Sequence, residues 1–328
     1  MNQSKSSGCL LFSILLLFSV LGAYAQKPDT FSKEVSFSSA NDAYVIWQNS
    51  DRFYSYGVGL NLKFQKEKLL GLQKYFPKKE AYFFEIGLRL EGYTPTNKTV
   101  TPTQIQENNI SFDRPYAGLS FATFKVTYAF ERSFVRSGVI LGVMGPASLA
   151  GNFQGWFHDK VTNDPVFEEW RFQVPNQLVM NIDLSYAHDF TPEQKWIDVY
   201  GMFNTRLGNL YIDATPTLGL RLGKFNILSE SVGMENNILS TSSGIELFLQ
   251  SSISSSINIF DGTAQGNLFN RDFEYAVDEL NTISTTLTQS IYFSSRRFSL
   301  GIEHYFTFGK VVPKEQHSYA RTIFKYRF

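Results

Sequence analysis

Between Phe53 and Phe64 every second residue is apolar. Tyr54, Tyr56, Val58, Leu60, Leu62 and Phe64 fall on one face of an extended chain, and Ser55, Gly57, Gly59, Asn61 and Lys63 on the other. From Tyr82 to Glu91 the pattern recurs, Tyr82, Phe84, Ile86, Leu88 and Leu90 opposing Glu85, Gly87, Arg89 and Glu91. A period of two is that of a strand. It leaves two homes for the apolar face: against a second sheet, or against lipid with the charged face turned into a lumen. Aromatics make up 16% of the chain, with 31 Phe and 17 Tyr, yet mean hydropathy is only -0.16. Apolar rings spread evenly among polar residues suit a membrane barrel.

Twelve such segments are predicted: 33–41, 52–65, 80–93, 116–131, 134–145, 176–190, 194–207, 210–223, 243–258, 277–294, 297–309 and 316–328. The expected fold is all-β, a twelve-stranded antiparallel transmembrane outer-membrane β-barrel. Its strand number is even, as in single-chain barrels of that membrane, and it ends on the aromatic Phe328. Before it, Lys5, the apolar run Cys9–Gly22 and Ala23-Tyr24-Ala25 read as a signal peptide over residues 1–25, leaving residues 26–328 as one barrel domain. Cys9 is the only cysteine, so the mature chain has no thiol for a disulfide or a metal site. Thirty basic and thirty acidic residues cancel, which gives no general attraction to nucleic acid.

With both ends on the periplasmic side, connections after odd-numbered strands face outward. Three are long: 42–51, 94–115 and 146–175. Two inner turns, 66–79 and 224–242, are also long, and the outer turn 208–209 is short. Asn41 and Asp42 close the first strand at the outer edge, while Asp51, Arg52 and Ser55 open the second there. Asp113 and Arg114 precede the fourth strand, and His158 lies in the third long outer loop. These residues are expected to meet at one rim beside the outer leaflet. Asp42, with amide and carbonyl oxygens near it, suits a hard cation such as calcium, which polarises an ester carbonyl. His158 suits a general base, with Asp164 to hold its tautomer. Ser55 reads either as a nucleophile or as a positioning hydroxyl, and Asp113-Arg114 either as substrate-binding or as an ion pair in the wall.

The segments Ala40–Gly57 (ANDxxxxxxxxDRxYSYG), Gly92–Pro95 (GYTP), Asp113–Gly118 (DRPYAG), Gly142–His158, Gly208–Gly223 and Asn258–Gly262 (NIFDG) together resemble the LpxR lipid A deacylase family. The resemblance implies calcium-dependent removal of the 3'-O-linked acyloxyacyl group of lipid A, with lipopolysaccharide in the outer membrane as partner. It also implies Asn41, Asp42, Ser55 and His158 as site residues. The family's acid after that histidine, usually Glu, corresponds to Asp164, with Glu168 and Glu169 as rivals. Two other readings are an outer-membrane phospholipase and a silent barrel serving as channel or adhesin. The phospholipase signature His-x-Ser-Asn-Gly follows none of the histidines, and pairing among Glu85, Arg89, Glu91 and Lys125 would obstruct a channel.

Overall fold

This computed structural model describes residues 31–45, 53–65, 81–96, 99–101, 104, 107, 110, 112–192, 195–242, 244–270, 272–310 and 316–328. The expected signal peptide, Asp51, Arg52 and the inner turn 66–79 lie outside them. Among the described residues, twelve antiparallel strands join in chain order into a closed barrel. They are β1 (Lys33–Asn41), β2 (Phe53–Phe64), β3 (Ala81–Thr94), β4 (Ala117–Ala129), β5 (Ser133–Met144), β6 (Gln177–Asp189), β7 (Ile197–Gly208), β8 (Tyr211–Lys224), β9 (Glu246–Asp261), β10 (Ile283–Ser294), β11 (Phe298–Phe308) and β12 (Gln316–Arg327). First and last strands pair from Glu34↔Arg327 to Asn41↔Ala320. Closure leaves no strand edge facing hydrocarbon, where an unpaired N–H or C=O is costly.

Residues directly opposed on neighbouring strands share a face. One such row, Leu88↔Ala122↔Leu141↔Met180, points outward, with Leu88, Leu141 and Met180 exposed where lipid would lie. Three residues along, Glu85↔Lys125 faces the lumen. There Lys63 sits 3.2 Å from Glu34 and 3.7 Å from Glu85, and Lys125 reaches the other Glu85 oxygen at 3.5 Å. Arg321 grips Glu303 through two hydrogen bonds of 2.7 and 3.0 Å, and Arg221 meets Asp198 at 2.5 Å. Buried charges survive only when paired in this way. The expected pairing among Glu85, Arg89, Glu91 and Lys125 is present, Arg89 meeting Glu91 at 3.8 Å.

β9 runs Glu246–Asp261 where 243–258 is predicted, and two further departures are larger. Residues 277–282 belong to the outer connection, and β10 starts at Ile283. Val277 N–H donates to the Ala264 carbonyl and Asn281 N–H to Lys310, so these amides bind neighbouring loops instead of β9, which itself runs on to Asp261. The second departure is the long inner turn. Three short 3-10 turns, Leu228–Glu230, Val232–Met234 and Asn237–Leu239, fold into the lumen as a plug. Leu228 and Met234 pack on Phe134, Ala187 and Tyr200; Ile238 and Leu239 pack on Phe83 and Ala129. The plug's carbonyls collect lumen cations: Lys63 donates to Glu235, Arg136 to Met234, Lys325 to Val232 and Arg327 to Asn237.

Candidate active site

At the outer end of the barrel the row Ala320↔Asn41↔Tyr56↔Gly92↔Gly118 crosses five strands on the outward face. A helix, α1 (Ala150–Phe157), lies over it, held by the third long outer loop. Two glycines permit the approach. A Cβ on Gly118 would stand 2.4 Å from Ser148 Oγ and 2.8 Å from the Ala150 methyl, and one on Gly92 would stand 2.1 Å from the Tyr56 ring. Tyr56, which would face lipid by alternation alone, is buried beneath the helix. Its hydroxyl donates to the Ala150 carbonyl at 2.6 Å, and its ring lies 5.6 Å from that of Phe153. On the helix's other side Trp170 Nε1 donates to Gln154 Oε1 at 2.7 Å and packs on Tyr116 at 5.2 Å. A buried aromatic with its polar tip satisfied is a firm anchor.

His158 follows directly, at the head of a π-helical turn (His158–Thr162) that ends at Asn163 in a left-handed conformation, φ 58°. That residue reverses the chain, bringing the Pro165 carbonyl to His158 Nδ1 at 2.8 Å. A carbonyl only accepts, so Nδ1 carries the proton and Nε2 holds the lone pair. Phe167 braces the ring edge-to-face at 5.4 Å. Asp164 was the residue expected to orient the imidazole. Its side chain is exposed, and its backbone N–H donates to the His158 carbonyl at 3.1 Å. The tight reversal gives the orienting position to Pro165.

In the same row, Asn41 caps a 3-10 turn, Asp42–Tyr44, its Oδ1 accepting from Ala43 N–H at 2.7 Å. Asp42 is buried, and the turn packs against β2 and β12. Ser55 sits in a bulge between Tyr54 and Tyr56, its hydroxyl paired with Thr94 Oγ1 at 2.6 Å. These residues bring a carboxylate, an amide oxygen and two hydroxyls, and His317 lies close by, its Nε2 3.2 Å from the Tyr54 carbonyl. Among the described residues no cluster of three His, Cys, Asp or Glu occurs. A carboxylate with amide and hydroxyl oxygens suits a hard cation such as calcium. His158 and Asn41 therefore connect through one residue: Asn41 pairs with Tyr56 in the sheet, and Tyr56 holds α1.

The model of the family described as Outer membrane protein LpxR matches residues 10–328. The chain belongs to the LpxR family. Among solved structures, LpxR from Salmonella typhimurium shares the fold, with a TM-score of 0.73 at 14% identity, covering 90% of this chain and 100% of that one. The β domain of the Bordetella autotransporter BrkA aligns at a TM-score of 0.45 and 8% identity over 92% of this chain and 100% of that one. An outer-membrane channel from Pseudomonas putida F1 gives 0.44 and 10% over 94% and 98%. No curated protein matches the chain. As a member of the LpxR family it is an outer-membrane barrel.

Several motifs that suggested the LpxR family turn out to hold the barrel mouth together. Asp113 Oδ1 accepts from Thr96 N–H at 3.0 Å. Arg114 is buried, donating from Nη2 to the Thr263 carbonyl and hydroxyl, each at 3.0 Å. Asp113 and Arg114 thus each clasp a neighbouring loop, Asp113 at Thr96 and Arg114 at Thr263. Asp261 of NIFDG caps the short helix α2 (Gly262–Gln265) and meets Lys310 at 2.5 Å. Glu169 accepts from Val100 N–H at 3.1 Å. Alternation alone does not disclose Tyr56, Pro165 or the Trp170–Gln154 pair, although Gly92 in GYTP and Gly118 in DRPYAG are residues that permit a close approach.

Beneath α1 the outward face carries an apolar groove of about 780 Å³. Val58, Leu60, Leu90 and Val143 form its floor, and Leu149, Phe153 and Trp156 form its lip. It opens towards the hydrocarbon and reaches the helix that carries His158.

Proposed function

We propose that this outer-membrane barrel hydrolyses the 3'-O-linked acyloxyacyl ester of lipid A. The observation that carries the reading is the groove under α1: an apolar channel on the lipid side, ending at a helix that presents an imidazole with a fixed tautomer. A lipid ester entering sideways from the outer leaflet lays its acyl chain along Leu60, Leu90 and Phe153, in contact with hydrocarbon throughout. His158 Nε2 takes a proton from water as the water oxygen attacks the ester carbonyl carbon. The carbon–oxygen bond to the sugar then breaks, and His158 returns the proton to the departing sugar oxygen. The products are a sugar hydroxyl and a free fatty acid. Asn41 and Ser55 position the ester, Ser55 being held by Thr94. Asp42 is the carboxylate that would hold calcium, with nearby oxygens. Bound there, the ion would supply polarisation of the carbonyl and stabilisation of the developing oxyanion.

The test is mass spectrometry of lipid A from cells expressing the wild type or His158→Ala. The wild type is expected to remove the mass of one acyloxyacyl group and the variant to leave lipid A intact. Unchanged lipid A with folded wild-type protein and calcium present would overturn the assignment.

A further inference from the structure

On the opposite side of the wall from α1, the outer mouth of the lumen contains a cavity of about 270 Å³. Tyr93, the inward neighbour of Gly92, forms part of it, as do Arg114, Arg206, Lys310, Asp261 and His317. We propose that it is a second binding site, for a phosphate or carboxylate group, separate from the ester site. Three cations face it; Arg206 is paired with Asp213 and Lys310 with Asp261, which leaves Arg114, hydrogen-bonded to Thr263, as the one without a carboxylate on its nitrogens among the described residues. Arg206 uses Nε and one terminal nitrogen on Asp213 and lies 3.7 Å over the Tyr211 ring. Lys310 is tethered to Asp261.

Arg114 decides the case. It is only 5% exposed, its Cζ lies 4.7 Å over the Tyr93 ring, and Nη2 is spent on Thr263. Its Nε is buried with no hydrogen-bond partner among the described residues. Nε is enclosed by protein, so the cavity meets the outer part of the guanidinium, and a planar fork over an aromatic ring with no carboxylate hydrogen-bonded to it among the described residues suits an oxyanion. Burial disfavours the cation and lowers its pKa, a cost that an anionic ligand reverses. The hydroxyls of Ser256, Ser284, Thr286 and Thr307 complete the wall and suit the remaining oxygens of a small polar anion. The volume is too small for a lipid chain, and the barrel wall separates it from the bilayer.

Titration calorimetry of the full-length protein in detergent, with inorganic phosphate as the probe and glucose as the neutral control, tests this. Phosphate is expected to bind saturably in the millimolar range or tighter, and glucose not to bind. Lys310→Gln and Arg114→Gln, each used where heat-dependent electrophoretic mobility shows the variant folded, are expected to weaken phosphate about tenfold. Repeating the titration in nanodiscs distinguishes the source. Weaker binding when lipopolysaccharide is included identifies a phosphate on a neighbouring glycan, whereas equal binding identifies a free anion. No saturable phosphate binding by the folded wild type, or binding unchanged in the folded Lys310→Gln protein, would overturn the proposal.

Discussion

Tyr56 joins the two halves of the candidate site, because its backbone pairs with Asn41 and its hydroxyl holds the Ala150 carbonyl. Replacing it with Phe keeps the ring packing on Phe153 and removes one buried hydrogen bond, worth about 1 kcal/mol. The expected result is a several-fold loss of deacylation with unchanged barrel stability, read by lipid A mass spectrometry and heat-dependent mobility in parallel. Equal losses in both would make Tyr56 merely structural. Asp164→Ala should retain activity within about twofold, as expected of an exposed surface change, because Pro165 orients the imidazole. A loss as deep as that of His158→Ala would restore the carboxylate to the orienting role. Asn41, Asp42 and Ser55 were legible as candidates because polar residues at strand ends stand out against alternation, and His158 because it lies in a long outer loop. Tyr56 was not, because in sequence it is one more outward aromatic. Its role exists only when another element covers it.

Among the elements, α1 and the lumen plug are the two that alternation could not disclose. The plug's apolar residues, Leu228, Val232, Met234 and Ile238, follow neither a period of two nor a sustained helical period, so the stretch reads as a long turn. Its packing and the four cations that hold its carbonyls oppose a channel reading. Planar-bilayer recordings of the wild type are expected to show no steady conductance at neutral pH, whereas replacing residues 225–245 with a short turn should open one. Acid acts on the same element through Glu235. Burial raises its carboxyl pKa, but Lys63, Lys325, Arg321 and Arg136 outweigh that and hold it well below the usual carboxylate range. A group depressed on folding contributes stability above its unfolded value of about 4.3 and loses it as pH falls towards the folded value. Conductance bursts should therefore begin only below about pH 4, and Glu235→Gln, which lacks the titrating group, should remove that pH dependence.

For the whole molecule, the strand count and nearly every strand boundary were readable from the sequence, because the lipid and the charged lumen impose opposite demands on alternate residues along the whole barrel. Where the boundaries failed, at residues 277–282, loop-to-loop hydrogen bonds had replaced sheet pairing. The barrel does not depend on calcium for its closure, which rests on strand pairing and lumen ion pairs. Chelation is therefore expected to abolish deacylation while leaving heat-dependent mobility unchanged, and added calcium should restore activity. Loss of the folded form on chelation would make the ion structural. The central claim is that an acyl ester is cleaved by water under α1. The most direct measurement is incubation of purified protein with lipid A and calcium in ¹⁸O-water, followed by mass spectrometry of both products. One ¹⁸O in the released fatty acid and none on the sugar hydroxyl is the expected result. Label on the sugar, or no fatty acid released by folded protein, would contradict the account.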